Sequence, residues 1–203
     1  MDSAVIFGLL TFMLCSLNGS VFMSRIFESG PVNGVVKISK GGGAINVAAA
    51  PDGAELMTGG GKIHVRSAKH FVEATTGGGE IVIDAVDGSV QATTGAGNVS
   101  VTMVGNPNEG QRDVAIASSS GDVTLVVPAG LAMDFDLRLA YTNTRKQYRI
   151  VSDFALDQRS TDEWSSAEGT PRKYIYGTGK IGSGSHQIKI HTVNGNIYVK
   201  RGQ

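Results

Sequence analysis

The chain has 203 residues, and its 18 lysine and arginine residues balance its 18 aspartate and glutamate residues, so the formal net charge at pH 7 is zero. A protein without excess positive charge has no general attraction for nucleic acid or for an anionic membrane, and we expect neither as a partner of the folded domain. The single cysteine excludes an intramolecular disulfide and a cysteine-rich zinc site.

The N-terminal part of the chain contains an uncharged apolar run at residues 4–17, AVIFGLLTFMLCSL. Its length is typical of the hydrophobic core of a secretory signal peptide and is below the roughly 18 residues of a membrane span. We therefore interpret residues 1–30 as an apolar leader. A cleaved signal would export the domain to the periplasm, the cell surface or the medium. An uncleaved anchor would attach it to the membrane, and a shortened start is a third alternative.

Residues 31–203 form a domain in which the sequence repeats itself. Three segments of 18 residues follow one another without a gap, and each begins with three glycines. A fourth unit follows in the same spacing, and a fifth begins after six extra residues around the polar stretch 106–110. The starts of the first four units are Gly41, Gly59, Gly77 and Gly95. The repeat also explains why glycine, at 28 residues, is about twice as frequent as usual.

Within each unit, apolar residues occupy the fifth and seventh positions with mostly polar residues between them, as in Ile63, His64 and Val65. Alternation of β-branched residues between glycine clusters predicts half-buried strands, so the fold class is all-β. Units that cannot bury an apolar face alone must stack, which predicts a parallel β-solenoid with an 18-residue repeat. The alternative is an antiparallel β-meander or sandwich, since a glycine-rich loop also suits a hairpin.

A parallel register makes specific neighbours across the stack. The expected pairs are Lys62 with Glu80, Arg66 with Asp84 and, unfavourably, Glu55 with Glu73. The same register would align the hydroxyl-bearing residues that precede the glycines, at 75–76, 93–94 and 118, into a ladder beside the turn.

The iterated phrase TTGGGEIVI at 75–83, the variant SSGDV at 119–123 and the closing HTVNGNIYV at 191–199 together resemble the bacterial "putative adhesin" family of β-strand-repeat proteins. The resemblance extends over about Val35 to Arg201. It implies a β-solenoid behind a signal or membrane segment, a domain of unknown biochemical function, and no known catalytic residues.

Motifs with possible chemistry are few. The stretch GTGKIG at 177–182 matches the glycine pattern of a dinucleotide-binding loop, but a strand-like sequence follows it in place of the required helix. The histidines lack metal-ligand spacing, and paired carboxylates such as Asp134 and Asp136 are more commonly solubilising than catalytic. We expect no enzymatic activity, no catalytic residues, no cofactor and no metal.

One stretch, 144–173, departs from the repeat and carries Tyr148, Phe154 and Trp164, the last being the only tryptophan. Loops that leave a rigid scaffold commonly carry recognition, which makes these residues a possible binding loop. The interpretation that we favour is a cap, in which they cover a sheet edge that would otherwise invite strand addition. The partner of a binding loop would be an unidentified surface ligand, either carbohydrate or protein.

Together these features predict a non-enzymatic cell-envelope or secreted protein that serves as an adhesin or as a structural surface module. The alternatives are an intracellular, membrane-anchored scaffolding or regulatory module and, with less support, a carbohydrate-active β-helix enzyme. In either case the membrane would be contacted only through an uncleaved N-terminal segment.

Overall fold

The computed structural model describes residues 34–143 and 146–202. The predicted leader, residues 1–30, lies outside the described residues. The described part consists of strands joined by turns and loops, without a helix, which confirms the all-β prediction. The fifteen strands are β1 (Val36–Lys40), β2 (Ile45–Val47), β3 (Ala54–Thr58), β4 (Ile63–Val65), β5 (Ala68–Thr76), β6 (Ile81–Thr94), β7 (Val99–Met103), β8 (Val114–Ser118), β9 (Val123–Val127), β10 (Met133–Tyr141), β11 (Ile150–Ser152), β12 (Asp157–Ser160), β13 (Lys173–Ile181), β14 (His186–Val193) and β15 (Ile197–Arg201).

All fifteen strands belong to one hydrogen-bonded sheet that follows two ladders. The first ladder runs β1, β3, β5, the second half of β6, β8, β14, β10, β13 and β12, and the second runs β2, β4, the first half of β6, β7, β9, β15 and β11. Strand pairs are parallel except β10 with β13 and β12 with β13. The antiparallel meander therefore does not describe the body of this domain.

The register of the first strands is regular. Ile45 pairs with Ile63, Ile63 with Ile81, and Ile81 with Val99, so that each residue faces the one 18 positions later. From β7 to β9 the offset becomes 24 positions, as in Val99 with Val123, because the extra residues of the loop before β8 enter here.

The interior of the stack is apolar, because alternate side chains of both ladders point into it. Its largest fully buried side chains include Ile63, Ile81, Leu125, Phe135 and Leu137. Residues between them, such as Val82 in β6, face outward and are only partly buried.

Stacked glycine turns form one corner of each coil. A Cβ atom on Gly77 would lie 2.3 Å from the carbonyl oxygen of Gly59, and one on Gly97, whose φ is +143°, would lie 2.3 Å from that of Gly79. These distances are far below van der Waals contact, so the turns can stack only because they lack side chains.

A column of buried hydroxyls lies beside the glycine corner, as the aligned threonines predict. The Oγ1 atom of Thr76 donates a hydrogen bond of 3.0 Å to the carbonyl of Gly61. The equivalent donors are Thr58, Thr94, Ser118 and Thr192, with donor–acceptor distances of 2.6–3.0 Å. Only one member of each threonine pair takes part, since Thr75 and Thr93 face outward.

The predicted ion pairs are partly correct. Lys62 Nζ lies 2.9 Å from Glu80 Oε2, as expected. The pairing of Arg66 with Asp84 is wrong: Asp84 lies where β6 bends, between the segments that pair with β4 and β5, and its carboxylate reaches His64 Nε2 at 2.7 Å instead.

Glu55 lies beside Glu73 in the register, as predicted. The repulsion between the two carboxylates is offset by Lys37, whose Nζ atom lies 2.8 Å from Glu55 Oε1. The pair is exposed, so its contribution to stability is small.

The order of the coils differs from the order of the chain. β14 lies between β8 and β10, and β15 lies between β9 and β11. The last coil of the chain is thus inserted between two coils that precede it, and Gln187 accordingly bonds to Asp113, 74 positions earlier. The sequence pattern at 186–199 identifies a coil but carries no sign of this insertion.

We predict that Ile81→Asp unfolds the domain. Ile81 is fully buried, and an unpaired carboxylate in the apolar interior costs several kcal/mol, of the order of the whole stability of a small domain (about 5–15 kcal/mol). The control Val82→Asp places the same charge one residue along on the outward face and should retain most of the stability. Thermal melts of both variants would test this, and equal melting temperatures would contradict the inward and outward assignment.

We predict that a chain ending at Ser185 loses the structure of β10 to β13, which are joined to the rest of the stack through β14 and β15. Without β14, strand β10 lacks its parallel neighbour and the apolar surface that covers it. The amides of β10 and β13 should then lose hydrogen-exchange protection by at least about 100-fold, while those of β3 and β5 stay protected as an internal control. Full protection of β10 in the truncated chain would contradict the inserted position of the last coil.

Candidate functional site

The stretch 144–173 does not form a single loop. It contains β11, which extends the second ladder, and β12, which pairs with β13 at the end of the first ladder. Its remaining residues connect these strands. The three aromatic residues singled out in the sequence therefore have different surroundings.

Phe154 belongs to the core. It is 9% exposed, and its ring centroid lies 5.7 Å from that of Phe135. The guanidinium of Arg201 lies over the Phe154 ring, 5.1 Å from its centroid. Phe154 thus closes the apolar interior at this end of the stack and offers little surface to a ligand.

Tyr148 and Trp164 meet at a third aromatic residue, Tyr141. The ring centroid of Tyr141 lies 6.0 Å from that of Tyr148 and 6.2 Å from that of Trp164, the second contact being edge to face. Trp164 is 44% exposed, and Lys173 Nζ lies 5.7 Å from its ring centroid. We refer to Tyr141, Tyr148 and Trp164 as the aromatic cluster.

Tyr141 was not singled out from the sequence. It is the last residue of β10, whose sequence alternates between apolar and polar residues, and such a pattern predicts that an aromatic residue there belongs to the core. Its register partner in β13 is Lys173, which explains why that lysine lies beside Trp164. The signal that could have found Tyr141 is its position as the last residue before the stretch that breaks the repeat.

An open cavity of about 480 Å³ lies at the aromatic cluster. Its lining residues are Tyr141, Lys146, Gln147, Tyr148, Arg149 and Ile175. One wall is fixed to the last coil of the chain, because the Arg149 amide donates to Asn196 Oδ1 at 3.0 Å and the Ile197 amide donates to the Arg149 carbonyl at 3.1 Å. The cavity is therefore held by strands of both ladders.

A second group of polar residues lies on the outer face of the first ladder. Glu168 forms ion pairs with Arg138 and, at 3.0 Å, with Arg172. His191 is the register partner of Arg138. We refer to Arg138, Glu168, Arg172 and His191 as the outer-face charge cluster.

Two members of this charge cluster, Glu168 and Arg172, belong to the segment 161–172, and the ion pair of Glu168 with Arg138 joins this segment to the sheet. Ala140, Tyr174 and Val193 form a small buried apolar group, and the Arg138 guanidinium lies 4.6 Å from the Tyr174 ring centroid. Three buried nitrogen atoms have no hydrogen-bond partner among the described residues: Nε of Arg138, Nε of Arg172 and Nε2 of His191. Trp164 belongs to this segment and contacts Tyr141, but it is not among the described residues that line the aromatic cavity.

The surroundings of His191 change its acidity. Burial lowers the pKa of His191 below its ordinary value of 6.5, and the positive charges of Arg138 and Arg172 lower it further, while Glu168 acts in the opposite direction. For Glu168 itself, the hydrogen bond from Arg138 is the main reason that its pKa is lowered. At neutral pH the cluster thus contains a neutral imidazole and a charged carboxylate.

Other candidates from the sequence are not assembled into a site. The glycine motif at 177–182 runs through β13 into a turn, and a strand follows it. Within residues 34–143 and 146–202, no group of three or more histidine, cysteine, aspartate or glutamate side chains is placed to hold a metal ion. Asp136 is exposed, and Asp134 Oδ2 lies 3.5 Å from Gln187 Nε2.

Two further cavities, of about 350 and 510 Å³, lie on the outer face of the first ladder, and no phenylalanine, tyrosine or tryptophan lines either of them. A third, of about 530 Å³, has one such residue, Phe71, among the carboxylates of Glu55, Glu73, Asp87 and Glu109. The aromatic cluster therefore remains the strongest candidate for a binding site.

The fold defines an all-β protein whose parallel coils end in antiparallel strands. Residues 54–200 match the family described as Toastrack DUF4097, and the chain belongs to this family, which is a domain of unknown function. This confirms the family resemblance seen in the repeated motifs. Among curated proteins, none matches the chain.

One solved structure is similar to this chain, a "putative cell adhesion protein" from Clostridium sporogenes. The two chains are 9% identical, the match covers 82% of this chain and 92% of that chain, and the TM-score is 0.36. A likeness at that level carries no argument about function. In the described residues, no helix has the length and apolar character needed to cross a bilayer.

We predict that His191 makes the stability of the domain depend on pH. Because its pKa is lower in the folded state than the ordinary 6.5, the unfolded chain binds a proton more readily, and stability falls as the pH drops below 6.5 towards the folded pKa. His191→Gln should flatten this part of the profile. Urea unfolding at pH values from about 8 to about 5 would measure it.

The matched control is His70→Asn, since His70 is exposed and has a positive φ of 65° that asparagine tolerates. The control should keep the pH profile of the natural chain. A profile that is unchanged in His191→Gln as well would contradict the role assigned to His191.

Proposed function

We propose that this protein is a non-enzymatic surface module that binds a partner through the aromatic cluster at the end of a rigid stack of coils. The observation that carries the proposal is the exposure of Trp164 against Tyr141, whose ring also contacts Tyr148 and lines an open cavity together with it. Exposing so large an apolar side chain is unfavourable in water, and tryptophan and tyrosine are enriched where proteins bind other molecules.

The rest of the fold suits a scaffold. We propose that residues 41–103 form regular solenoid coils of 18 residues, in line with the constant register of β2, β4, β6 and β7. Each coil packs its apolar side chains on the coils above and below, so the stack resists bending and holds its end in place. Binding residues on such a scaffold lose little entropy when a ligand binds.

The proposed location is outside the cytoplasm. The apolar run at residues 4–17 supports export to the periplasm, the cell surface or the medium, with an uncleaved membrane anchor as the alternative. The proposed partner is a carbohydrate or a protein on a surface that the module meets there.

A purely structural role is the second candidate, and the position of Phe154 favours it. Phe154 completes the core, and the antiparallel strands β12 and β13 end the first ladder. In this case the aromatic cluster would serve to close the edge of the sheet, as a cap does.

We predict that Trp164→Ala reduces attachment of the purified protein to intact cells or cell-wall material of the producing organism by at least about tenfold, as expected for a central aromatic contact. The melting temperature should change by no more than about 2 °C, since Trp164 is partly exposed. Cosedimentation and thermal melts would measure the two effects.

The matched control is Met57→Ala, which removes a side chain that is 55% exposed near the other end of the first ladder. It should leave attachment unchanged. A loss of about 2–4 kcal/mol of stability in Trp164→Ala, with attachment unchanged when the folded fraction is taken into account, would favour the cap over the binding role.

Export has a separate test. Protease added to intact cells should degrade a surface-exposed protein, and protease added after opening of the outer envelope should degrade a periplasmic one. Protection until the cytoplasm is released would favour the intracellular, membrane-anchored alternative.

A further inference from the structure

We infer that the ligand of the aromatic cluster is an acidic carbohydrate, whose ring packs on the aromatic side chains and whose carboxylate is held by Lys146 and Arg149. This inference rests on the proposed binding function and names the chemical class of the ligand. Three features of the cavity carry it: its charge, its aromatic surface and the absence of a free strand edge in its lining.

The charge of the cavity is positive. Lys146 and Arg149 line it, and none of its described lining residues is an aspartate or glutamate. Lys173, outside the lining, lies beside Trp164. The carboxylate nearest along the chain to Arg149 is that of Asp153, which accepts a hydrogen bond of 2.9 Å from the Arg201 amide and is not a lining residue.

The two lining cations lack counter-ions. Within the described residues, neither the Lys146 ammonium nor the Arg149 guanidinium forms an ion pair. Exposed cations such as Lys69 and Lys200 are also unpaired, but Lys146 and Arg149 line one cavity together, with no carboxylate among its described lining residues, so that an anion bound there lowers the free energy. A guanidinium also binds a carboxylate through two parallel hydrogen bonds.

The aromatic side chains and Gln147 add contacts that a simple anion would not use. Sugar rings present C–H groups on one face, which pack on aromatic rings, and Tyr141 and Tyr148, which both line the cavity, can form such a surface. The Gln147 amide, exposed in the lining, can donate to and accept from neighbouring hydroxyls. The cavity of about 480 Å³ is within the range of small-ligand sites.

An acidic peptide is less well suited to this cavity. Extended peptides commonly bind by adding a strand to an open sheet edge. The strands that reach the lining are β10, which pairs with β13 and β14, and β13, which pairs with β10 and β12. Both edges of these two strands are therefore occupied. The open edge nearest the cavity belongs to β11, which follows the lining segment 146–149 and pairs only with β15, and the polyglutamate probe below tests whether a peptide uses it.

The test uses the full chain and carbohydrate probes. Polygalacturonate and hyaluronate supply the carboxylate-bearing sugar rings, dextran supplies neutral ones, and polyglutamate supplies carboxylates without sugar. Affinity electrophoresis and calorimetry should detect binding of at least one acidic polysaccharide, and binding should weaken as salt is raised from about 50 mM to about 500 mM. Dextran and polyglutamate should bind at least tenfold more weakly.

The decisive variant is Lys146→Gln with Arg149→Gln, which removes both cations while leaving the Arg149 backbone bonds in place. It should weaken binding of the acidic polysaccharide at least tenfold without changing the melting temperature. The matched control, Lys69→Gln, removes one exposed charge from β5 and should bind like the natural chain.

Several outcomes would overturn the inference. They are the absence of binding to both acidic polysaccharides, equal binding of dextran, equal binding of polyglutamate, and unchanged binding in the double variant. If Trp164→Ala still abolished attachment to cells, the proposed binding function would stand and only the class of ligand would be wrong. If Trp164→Ala left attachment unchanged, the proposed function itself would fail.

Discussion

The close stacking of the glycine turns is the constraint on which the rest of the fold depends. Neighbouring turns approach so closely that a single Cβ atom at Gly77 would overlap the carbonyl oxygen of Gly59. This close approach buries backbone carbonyls at the corner. The hydroxyls of Thr58, Thr76 and the residues equivalent to them donate hydrogen bonds to these carbonyls. Glycine and threonine are thus required together, because one permits the approach and the other satisfies the polar groups that the approach buries.

Because the glycine corner has the same geometry in successive coils, the number of residues in a coil can vary only away from this corner. The extra residues before β8 form a loop there, and Arg112 anchors it from a nearly inaccessible position. Its guanidinium donates to the carbonyl of Val104 at 2.6 Å and to that of Glu109 at 3.0 Å, and it pairs with Asp87. A buried cation is costly unless its hydrogen bonds are made, and here the loop itself supplies two of the acceptors.

The sequence predicts those features of the fold that depend on residues close together in the chain, and it does not predict those that depend on distant residues. Alternation and glycine spacing are local, so the strands from Ile45 to Val127 and the pairing of Lys62 with Glu80 can be predicted. The pairing of Arg66 with Asp84 fails although the offset is 18 positions on both sides of the bend of β6, because at the bend the Asp84 carboxylate contacts His64 instead. The insertion of β14 and β15 cannot be predicted, because the pattern at 186–199 fits any place in the stack. The same long-range pairing brings His191 beside Arg138 and Arg149 beside Asn196, so neither the charge cluster nor the cavity wall is visible in the sequence.

The candidate site lies at the end of the stack for a physical reason. Each coil in the body has to place glycine, a hydroxyl and inward apolar residues at set positions, which leaves little freedom for large side chains at the corners. Beyond β10 the chain turns back into the antiparallel strands β13 and β12, and this requirement ends. The sequence there can carry Tyr148, Trp164 and unpaired cations such as Arg149 without disturbing the stack. The part of the domain that is released from the repeat is therefore the part that can acquire a binding surface, while the repeat keeps that surface rigid.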